Sequence, residues 1–136
     1  MQRMIFTKAI RDKLMRNAEA TETMLNETGG DTPEHVPVIK VFNPYGPQTW
    51  LFTELWPDGR LFGLCDHGMG EPELGYELLS NIERTAIAPF PGGPKILKLE
   101  RDQLFRTKRP LIAFARAARG LRRIPTDGEL AGQVGR

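Results

Sequence analysis

Cysteine is almost absent from this sequence of 136 residues, in which Cys65 is the only one. A single cysteine excludes an internal disulfide and a zinc site built from several cysteines, and it fits a reducing compartment. Long apolar runs are missing too, since no stretch approaches the roughly 20 residues that a membrane-spanning helix needs. The first residues also lack the apolar core of a secretory signal. The sequence therefore predicts a cytoplasmic protein that does not enter a membrane.

Neither disorder nor a fibrous repeat fits the composition. Hydrophobic residues make up 40% and charged residues 26% of the chain, with 14 glycines and 11 prolines to mark turns, as in ordinary globular proteins. The length of 136 residues suits one hydrophobic core. We expect a single domain over residues 1–124, followed by a flexible tail over residues 125–136 that has little to bury.

Charge is unevenly distributed, although the net charge is only +2. Residues 1–16 carry five basic and one acidic side chain, residues 17–94 three basic and twelve acidic, and residues 95–136 eleven basic and four acidic. Such blocks bear on partners and solubility rather than on fold. They predict a basic face and an acidic face if the two ends of the chain fold to one side, and a solvated mixture of charges otherwise.

The clearest local signal is a β-hairpin. Residues 49–56 and 61–66 are rich in aromatic and β-favouring residues and flank the pair Asp58-Gly59. This pair suits a tight turn in which both central residues have positive φ. A glycine-rich loop follows at residues 67–72.

Other patterns predict the remaining elements. The spacing of apolar residues indicates a first helix over 8–26 with Thr7 as its N-cap, and Pro110 opens a last helix. Alternating and β-branched residues predict strands at 36–42, 73–79 and 95–100, and a capping box predicts a short helix at Ser80–Glu83. This order predicts an α+β fold, a mostly antiparallel sheet with the N- and C-terminal helices packed on one face.

A long string in the middle of the chain has a family resemblance. Residues Thr49–Glu83 read TWLFTELWPDGRLFGLCDHGMGEPELGYELLSNIE, which resembles the domain-of-unknown-function family numbered 2958, small bacterial proteins often encoded on plasmids and integrated elements. The flanks are similar as well, so the resemblance covers roughly residues 6–124. It implies no activity, cofactor or catalytic residue. His67 stands where the family commonly has leucine, so a mechanism that needs His67 would not be a family mechanism.

The glycine loop carries the residues that could form a small enzyme site. Asp66, Glu73 and Tyr76 are the catalytic candidates, because carboxylates in different environments can act as acid and base. Asp66, His67 and Glu71 are candidate ligands for a divalent metal, although their spacing is not specific and no cofactor is implied. A structural interpretation competes, in which Asp66 caps backbone amides of the loop and Cys65 is a small buried thiol rather than a nucleophile.

Basic residues near both ends of the chain form the other candidate site. They could follow the phosphates of a nucleic acid, because arginine pairs with phosphate through two hydrogen bonds, or they could contact an acidic protein. No helix-turn-helix or RNA-recognition signature accompanies them. The set consists of Lys8, Arg11, Arg16, Lys108, Arg109, Arg116, Arg119, Arg122 and Arg123.

These candidate sites give two hypotheses for function. The first is a non-enzymatic accessory protein of a bacterial mobile element, whose partner is nucleic acid or a protein of that element, contacted through the charged faces. The alternative is a small enzyme, with or without a metal, whose site lies in the Asp66–Tyr76 segment.

Overall fold

Four helices and seven strands make up the computed structural model, which describes residues 4–134. The helices are α1 (Lys8–Thr28), α2 (Leu79–Arg84), α3 (Leu111–Leu121) and α4 (Asp127–Val134). The strands are β1 (Ile39–Phe42), β2 (Thr49–Leu55), β3 (Arg60–Asp66), β4 (Glu73–Leu78), β5 (Ala86–Ile87), β6 (Leu97–Lys98) and β7 (Glu100–Arg101). None of the helices within residues 4–134 has the length and apolarity needed to cross a membrane.

An antiparallel sheet of five strands lies at the centre of the fold. Its order is β4-β3-β2-β1-β7, and β5 and β6 form a separate antiparallel pair. Each pairing in the large sheet is antiparallel. The predicted α+β fold with a mostly antiparallel sheet is therefore confirmed.

Helix α1 is capped at both ends by residues that its sequence provides. The Thr7 hydroxyl oxygen accepts a hydrogen bond from the Ile10 N–H at 3.2 Å, which confirms the predicted N-cap. At the other end, Gly29 adopts the left-handed conformation with φ of 80°, and its N–H donates to the Leu25 carbonyl at 2.8 Å. The predicted helix is confirmed and continues slightly further, to Thr28.

The predicted hairpin forms between β2 and β3, but its turn differs from the prediction. The Trp56 N–H donates to the Arg60 carbonyl at 2.8 Å, and the Gly59 N–H donates to the Trp56 carbonyl at 2.9 Å. Within the described chain, Gly59 has a positive φ of 90° and Asp58 does not. The loop therefore has three residues that end in a left-handed glycine, a geometry that needs positive φ at one position rather than two.

A β-bulge interrupts β2 and changes the face on which its side chains lie. Phe52 lies opposite Gly63 and Glu54 lies opposite Phe62, so one extra residue separates them on β2. Gly63 makes this close packing possible, because a Cβ atom there would overlap the Leu51 carbonyl oxygen. Side chains alternate along a strand and the bulge adds one residue. Glu54 consequently shares the face of Phe62 and not that of Phe52.

Helices α1 and α3 pack on opposite faces of the sheet. On one face, Trp50 and Phe52 of β2 pack with Leu14 of α1. On the other face, Leu51 of β2 packs with Phe114 of α3. Because successive strand residues point to opposite faces, the prediction that both terminal helices share one face is wrong. The physical reason is that β2 is apolar on both sides and needs a cover on each.

The region after the third helix departs from the predicted tail. Residues Asp127–Val134 form α4, and Leu130 is buried in the cluster that contains Phe114. A capping box starts this helix: the Glu129 N–H donates to the Thr126 hydroxyl oxygen at 3.1 Å, and the Thr126 N–H donates to Glu129 Oε1 at 3.0 Å. The described part of the tail is therefore a packed helix, and residues 135–136 lie outside the described residues.

Regular structure after β4 differs from the prediction in detail. The N-cap of α2 is Leu78, which makes no side-chain cap hydrogen bond, so the capping box predicted at Ser80–Glu83 does not form. The strand predicted at 95–100 is replaced by β6, which pairs with β5, and by β7, which pairs with β1.

Candidate functional site

A pocket with a volume of about 460 Å³ opens beside the bulge of β2. It is bounded by the C-terminal part of α1, the segment 32–35, the start of α3 and the sheet face that carries Phe62. Trp56, Phe62 and Tyr76 provide aromatic walls, and Glu54 is among the polar residues. An apolar lining with a few polar groups is typical of sites that bind small molecules.

Glu54 is the buried acidic group of this pocket, with 6% of its surface exposed. Its Oε2 accepts a hydrogen bond from the Thr21 hydroxyl at 2.6 Å, and its Oε1 accepts one from the Trp56 indole N–H at 2.9 Å. Burial of a carboxylate costs free energy unless donors or cations compensate it. A carboxylate has about four acceptor positions, so about two remain for other donors.

His35 extends the network around Glu54. Its Nε2 lies 2.9 Å from the Thr21 hydroxyl oxygen and 3.6 Å from Glu54 Oε2. The Thr21 hydroxyl has one proton, which it donates to Glu54, so towards His35 it acts as an acceptor. In this arrangement His35 is the donor to the Thr21 hydroxyl oxygen through its Nε2–H.

The fold assembles this network where the sheet is incomplete. Strand β1 begins only at Ile39, so helix α1 takes its place beside the bulge, and the Asn17 amide donates to the Thr53 carbonyl at 2.9 Å. The His35 carbonyl accepts a hydrogen bond from the Leu111 N–H at 2.9 Å, which joins the segment before β1 to the start of α3. The polar residues of the pocket are thus held by three elements that are distant in sequence.

Arg60 and Tyr76 lie at the rim of the pocket. The Arg60 guanidinium lies 4.6 Å from the centre of the Tyr76 ring, and its Nε donates to Asp58 Oδ2 at 2.7 Å. A cation over an aromatic face restricts the ring's position. Tyr76 is the residue of the predicted catalytic set that lines this pocket, whereas Asp66 and Glu73 do not line it.

The other residues predicted at the glycine loop do not converge. Asp66 is buried, and its Oδ1 accepts a hydrogen bond from the Gly68 N–H at 2.8 Å, in agreement with the structural interpretation. His67 Nε2 lies 3.2 Å from Glu77 Oε1, with the ring edge-on to Trp50. Within residues 4–134, no three His, Cys, Asp or Glu side chains are grouped as a metal site would require.

One family model matches residues 5–125, that of the Protein of unknown function (DUF2958). The chain belongs to this family. The resemblance carried by Thr49–Glu83 is thereby confirmed. Searches of the curated proteins and of the solved structures returned no match. Because membership of DUF2958 assigns no activity, the function has to be argued from the residues themselves.

A second cleft of this DUF2958 protein joins residues of both predicted sites. It has a volume of about 630 Å³ and is lined by Glu71 and Glu73 near the start of β4 and by Arg116 and Arg119 of α3. Acidic and basic side chains therefore share one cleft. Such a mixture does not make the uniformly positive surface that tracks a phosphate backbone.

The fold divides the predicted basic set of the DUF2958 chain into two groups. Lys8, Arg11 and Arg16 lie on α1, on one side of the sheet. The remaining members precede, occupy or follow α3, on the other side: Lys108, Arg109, Arg116, Arg119, Arg122 and Arg123. The structure does not bring the two groups together on one face.

Several of these cations have partners within the protein. Ion pairs join Lys8 to Asp12 at 2.7 Å, Arg109 to Asp127 at 3.4 Å and Arg123 to Glu129 at 2.6 Å. Arg122 Nε also donates to the Gly70 carbonyl at 3.2 Å. Arg116 and Arg119 are exposed on α3, a helix without acidic residues.

Sequence reasoning missed Glu54 and His35 as site residues. In the sequence, the pattern around Glu54 is that of an ordinary half-buried strand, and His35 is an isolated histidine. The available signal is a single carboxylate inside the apolar run TWLFTELW, because an acidic residue buried in a strand needs partners. The identity of those partners depends on the bulge, which the sequence does not display.

Proposed function

We propose that this protein binds a small organic cation with an aromatic or flat apolar body in the Glu54 pocket. The burial of Glu54 beside an open, aromatic cavity carries this proposal. Each of its carboxylate oxygens accepts one hydrogen bond from the protein, and each can accept another. A ligand ammonium or amidinium group would supply the missing donors and a positive charge. Both the hydrogen bonds and the charge attraction are stronger at a buried carboxylate than in water.

The walls of the pocket fit the body of such a ligand. Trp56, Phe62 and Tyr76 line the pocket with aromatic surface, one side of the Tyr76 ring being covered by Arg60, and Leu74 and Ile112 add aliphatic surface. Aromatic rings attract cations and stack on flat apolar groups. Recognition would therefore combine one charged contact at Glu54 with nonspecific packing along the walls, the usual division in small-molecule sites.

Benzylamine is a suitable first probe, because it joins an ammonium group to one aromatic ring. The two tryptophan indole N–H signals in the NMR spectrum provide a readout with an internal reference. Trp56 donates to Glu54, whereas Trp50 donates to Glu77 at 3.4 Å, outside the pocket. Titration should shift the Trp56 signal saturably and leave the Trp50 signal in place, and benzyl alcohol should shift it much less.

Two pairs of variants test which residues bind the probe. Glu54→Gln should remove the Trp56 response, whereas Glu73→Gln, an exposed carboxylate outside the pocket, should preserve it. Tyr76→Ala should weaken binding without loss of fold, because the residue is 50% exposed. Tyr45→Ala, on a distant loop, should leave binding unchanged. A response that survives in folded Glu54→Gln protein, or no saturable response in the wild type, would contradict the proposal.

A second candidate function is nucleic-acid binding by α3, as an accessory protein of a mobile element. The observation in its favour is the charge of the helices. α3 itself contains Arg116 and Arg119 and no acidic residue, whereas α1 contains as many acidic as basic residues. Glu71 and Glu73, which line the cleft beside the two arginines, are the opposing charges on this side. Binding of labelled DNA and RNA at two salt concentrations tests it, because phosphate contacts weaken steeply with salt. Unchanged binding after replacement of Arg116, Arg119 and Arg123 by alanine would exclude this site.

A further inference from the structure

Strand β4 forms one edge of the large sheet within residues 4–134. The Leu79 N–H donates to the Gly59 carbonyl at 2.9 Å, and the register continues with Glu77 opposite Leu61. In an antiparallel pair, main-chain groups face the partner strand at every second residue. The main-chain N–H and C=O groups of Leu74 and Tyr76 and the N–H of Leu78 therefore point away from β3, towards the open edge. The Leu78 carbonyl, at the N-cap of α2, accepts the first hydrogen bond of that helix.

The same three residues carry apolar side chains on one face of the edge. Leu74 is 44% exposed, Tyr76 50% and Leu78 42%. They share a face because they alternate along the strand. Edge strands in soluble proteins are usually protected by charges, prolines or bulges. In β4 the two charges, Glu73 and Glu77, lie on the opposite face from this apolar stripe.

We infer that β4 pairs with β4 of a second copy of this chain, in an antiparallel, two-fold symmetric arrangement centred on Tyr76. In this register Tyr76 lies opposite Tyr76 of the other copy, and Leu74 lies opposite Leu78. Tyr76 then pairs with its equivalent through both main-chain groups, and the Leu78 N–H meets the Leu74 carbonyl of the other copy. The apolar side chains of the three residues form one continuous stripe across the two copies. The two five-stranded sheets become one sheet of ten strands.

The charges of β4 are compatible with a second copy as the occupant. Glu77 lies opposite Gly75 of the other copy in this register, so no carboxylate of β4 faces its own equivalent. Like charges directly opposite each other would oppose the pairing. Gly75 also has room, since nothing lies within 4 Å of the position that a Cβ atom would occupy there. The segment ELGYEL is thus self-complementary in one register about Tyr76.

Sedimentation velocity over a concentration series tests the pairing. A contact between two short strands lies at the small end of interface sizes, so we expect a monomer–dimer equilibrium rather than a permanent dimer. Tyr76→Lys would place two ammonium groups opposite each other at the two-fold axis and should weaken the dimer at least tenfold. Tyr45→Lys, at a similarly exposed tyrosine on the loop after β1, should leave the dimer unchanged.

Cysteine cross-linking tests the register itself. Tyr76→Cys should form an intermolecular disulfide, because paired Cα atoms lie about 5.5 Å apart. Leu74→Cys alone should not, since its equivalent is displaced by about 13 Å along the strand. A mixture of Leu74→Cys and Leu78→Cys proteins should form the mixed disulfide. A protein that stays monomeric at all concentrations, a dimer that withstands Tyr76→Lys, or cross-linking of Leu74→Cys with itself would overturn the inference.

Discussion

Cys65 lies in an environment that makes its thiol unreactive. It lies near the end of β3 with 6% of its surface exposed, in the core cluster that faces α1. Burial, and secondarily the nearby carboxylate of Glu77, raise the pKa of the thiol to about 12. The interpretation of Cys65 as a structural residue rather than a nucleophile follows from this environment.

The reactivity of Cys65 can be measured directly. We expect the native protein at pH 8 to react with iodoacetamide at least a hundredfold more slowly than the protein in urea, because alkylation needs an accessible thiolate. Met69→Cys, at a position 79% exposed on the glycine loop, should react rapidly in the native state. Equal rates for Cys65 in the native and unfolded protein would show that the thiol is accessible.

Gly63 is required by the bulge that directs Glu54 into the pocket. We expect Gly63→Ala to lower the free energy of unfolding by about 3 kcal/mol, because the added Cβ atom overlaps the Leu51 carbonyl and only a backbone shift can relieve the overlap. Gly75→Ala on β4 is the matched control, since that Cβ atom would meet nothing within 4 Å. Urea denaturation measures both, and similar decreases for the two variants would contradict the role of Gly63.

The capping boxes show what sequence patterns can predict about helices and what they cannot. A Ser-x-x-Glu pattern predicts a cap at Ser80, but β4 continues directly into α2 and Leu78 is the N-cap. The equivalent pattern Thr126-Asp-Gly-Glu129 does form a capping box. The sequence does not predict α4, because the segment has few apolar residues. Whether such a short helix forms depends on tertiary packing, here on the burial of Leu130.

Glu129 couples the stability of α4 to pH. The hydrogen bonds from Arg123, and next that from the Thr126 N–H, lower the pKa of Glu129 to about 2. A carboxyl group with a lowered pKa stabilises the folded state above its ordinary value of 4.5, and this contribution disappears as the pH falls from about 4.5 to about 2.

We expect Glu129→Gln to lower stability by less than 1 kcal/mol at pH 7, because the ion pair is exposed and screened. The difference between wild type and variant should shrink towards pH 2, where Glu129 itself becomes protonated. Urea midpoints of both proteins at pH 7 and pH 2.5 measure this, and the comparison cancels the titration of all other groups. An equal difference at both pH values would show that the charge of Glu129 is not responsible.

The arrangement of layers is the part of the fold that the sequence could not supply. Apolar patterns identify α1, the hairpin and α3, because each pattern reports which side of an element is buried. They do not report which face of the sheet a helix covers, since an apolar stripe on α1 or α3 fits either face. The continuous apolar run Leu51-Phe52 is the available sign that β2 needs a cover on both faces.

This two-sided arrangement makes a prediction about the charges. If the protein binds a nucleic acid, one duplex contacts one face, so the basic residues of α1 and those of α3 cannot act together. The replacement of Arg116 and Arg119 by alanine should weaken binding and reduce its salt dependence, with a decrease in slope of about 0.9 for each phosphate that the variant no longer neutralises. The replacement of Lys8 and Arg11, which removes the same charge from α1, should leave both quantities nearly unchanged, because Asp12 and three glutamates on that helix offset its basic residues. Fluorescence anisotropy at several salt concentrations measures both variants.

Equal effects of the two replacements would contradict a binding surface on α3 and would point to attraction by net charge alone.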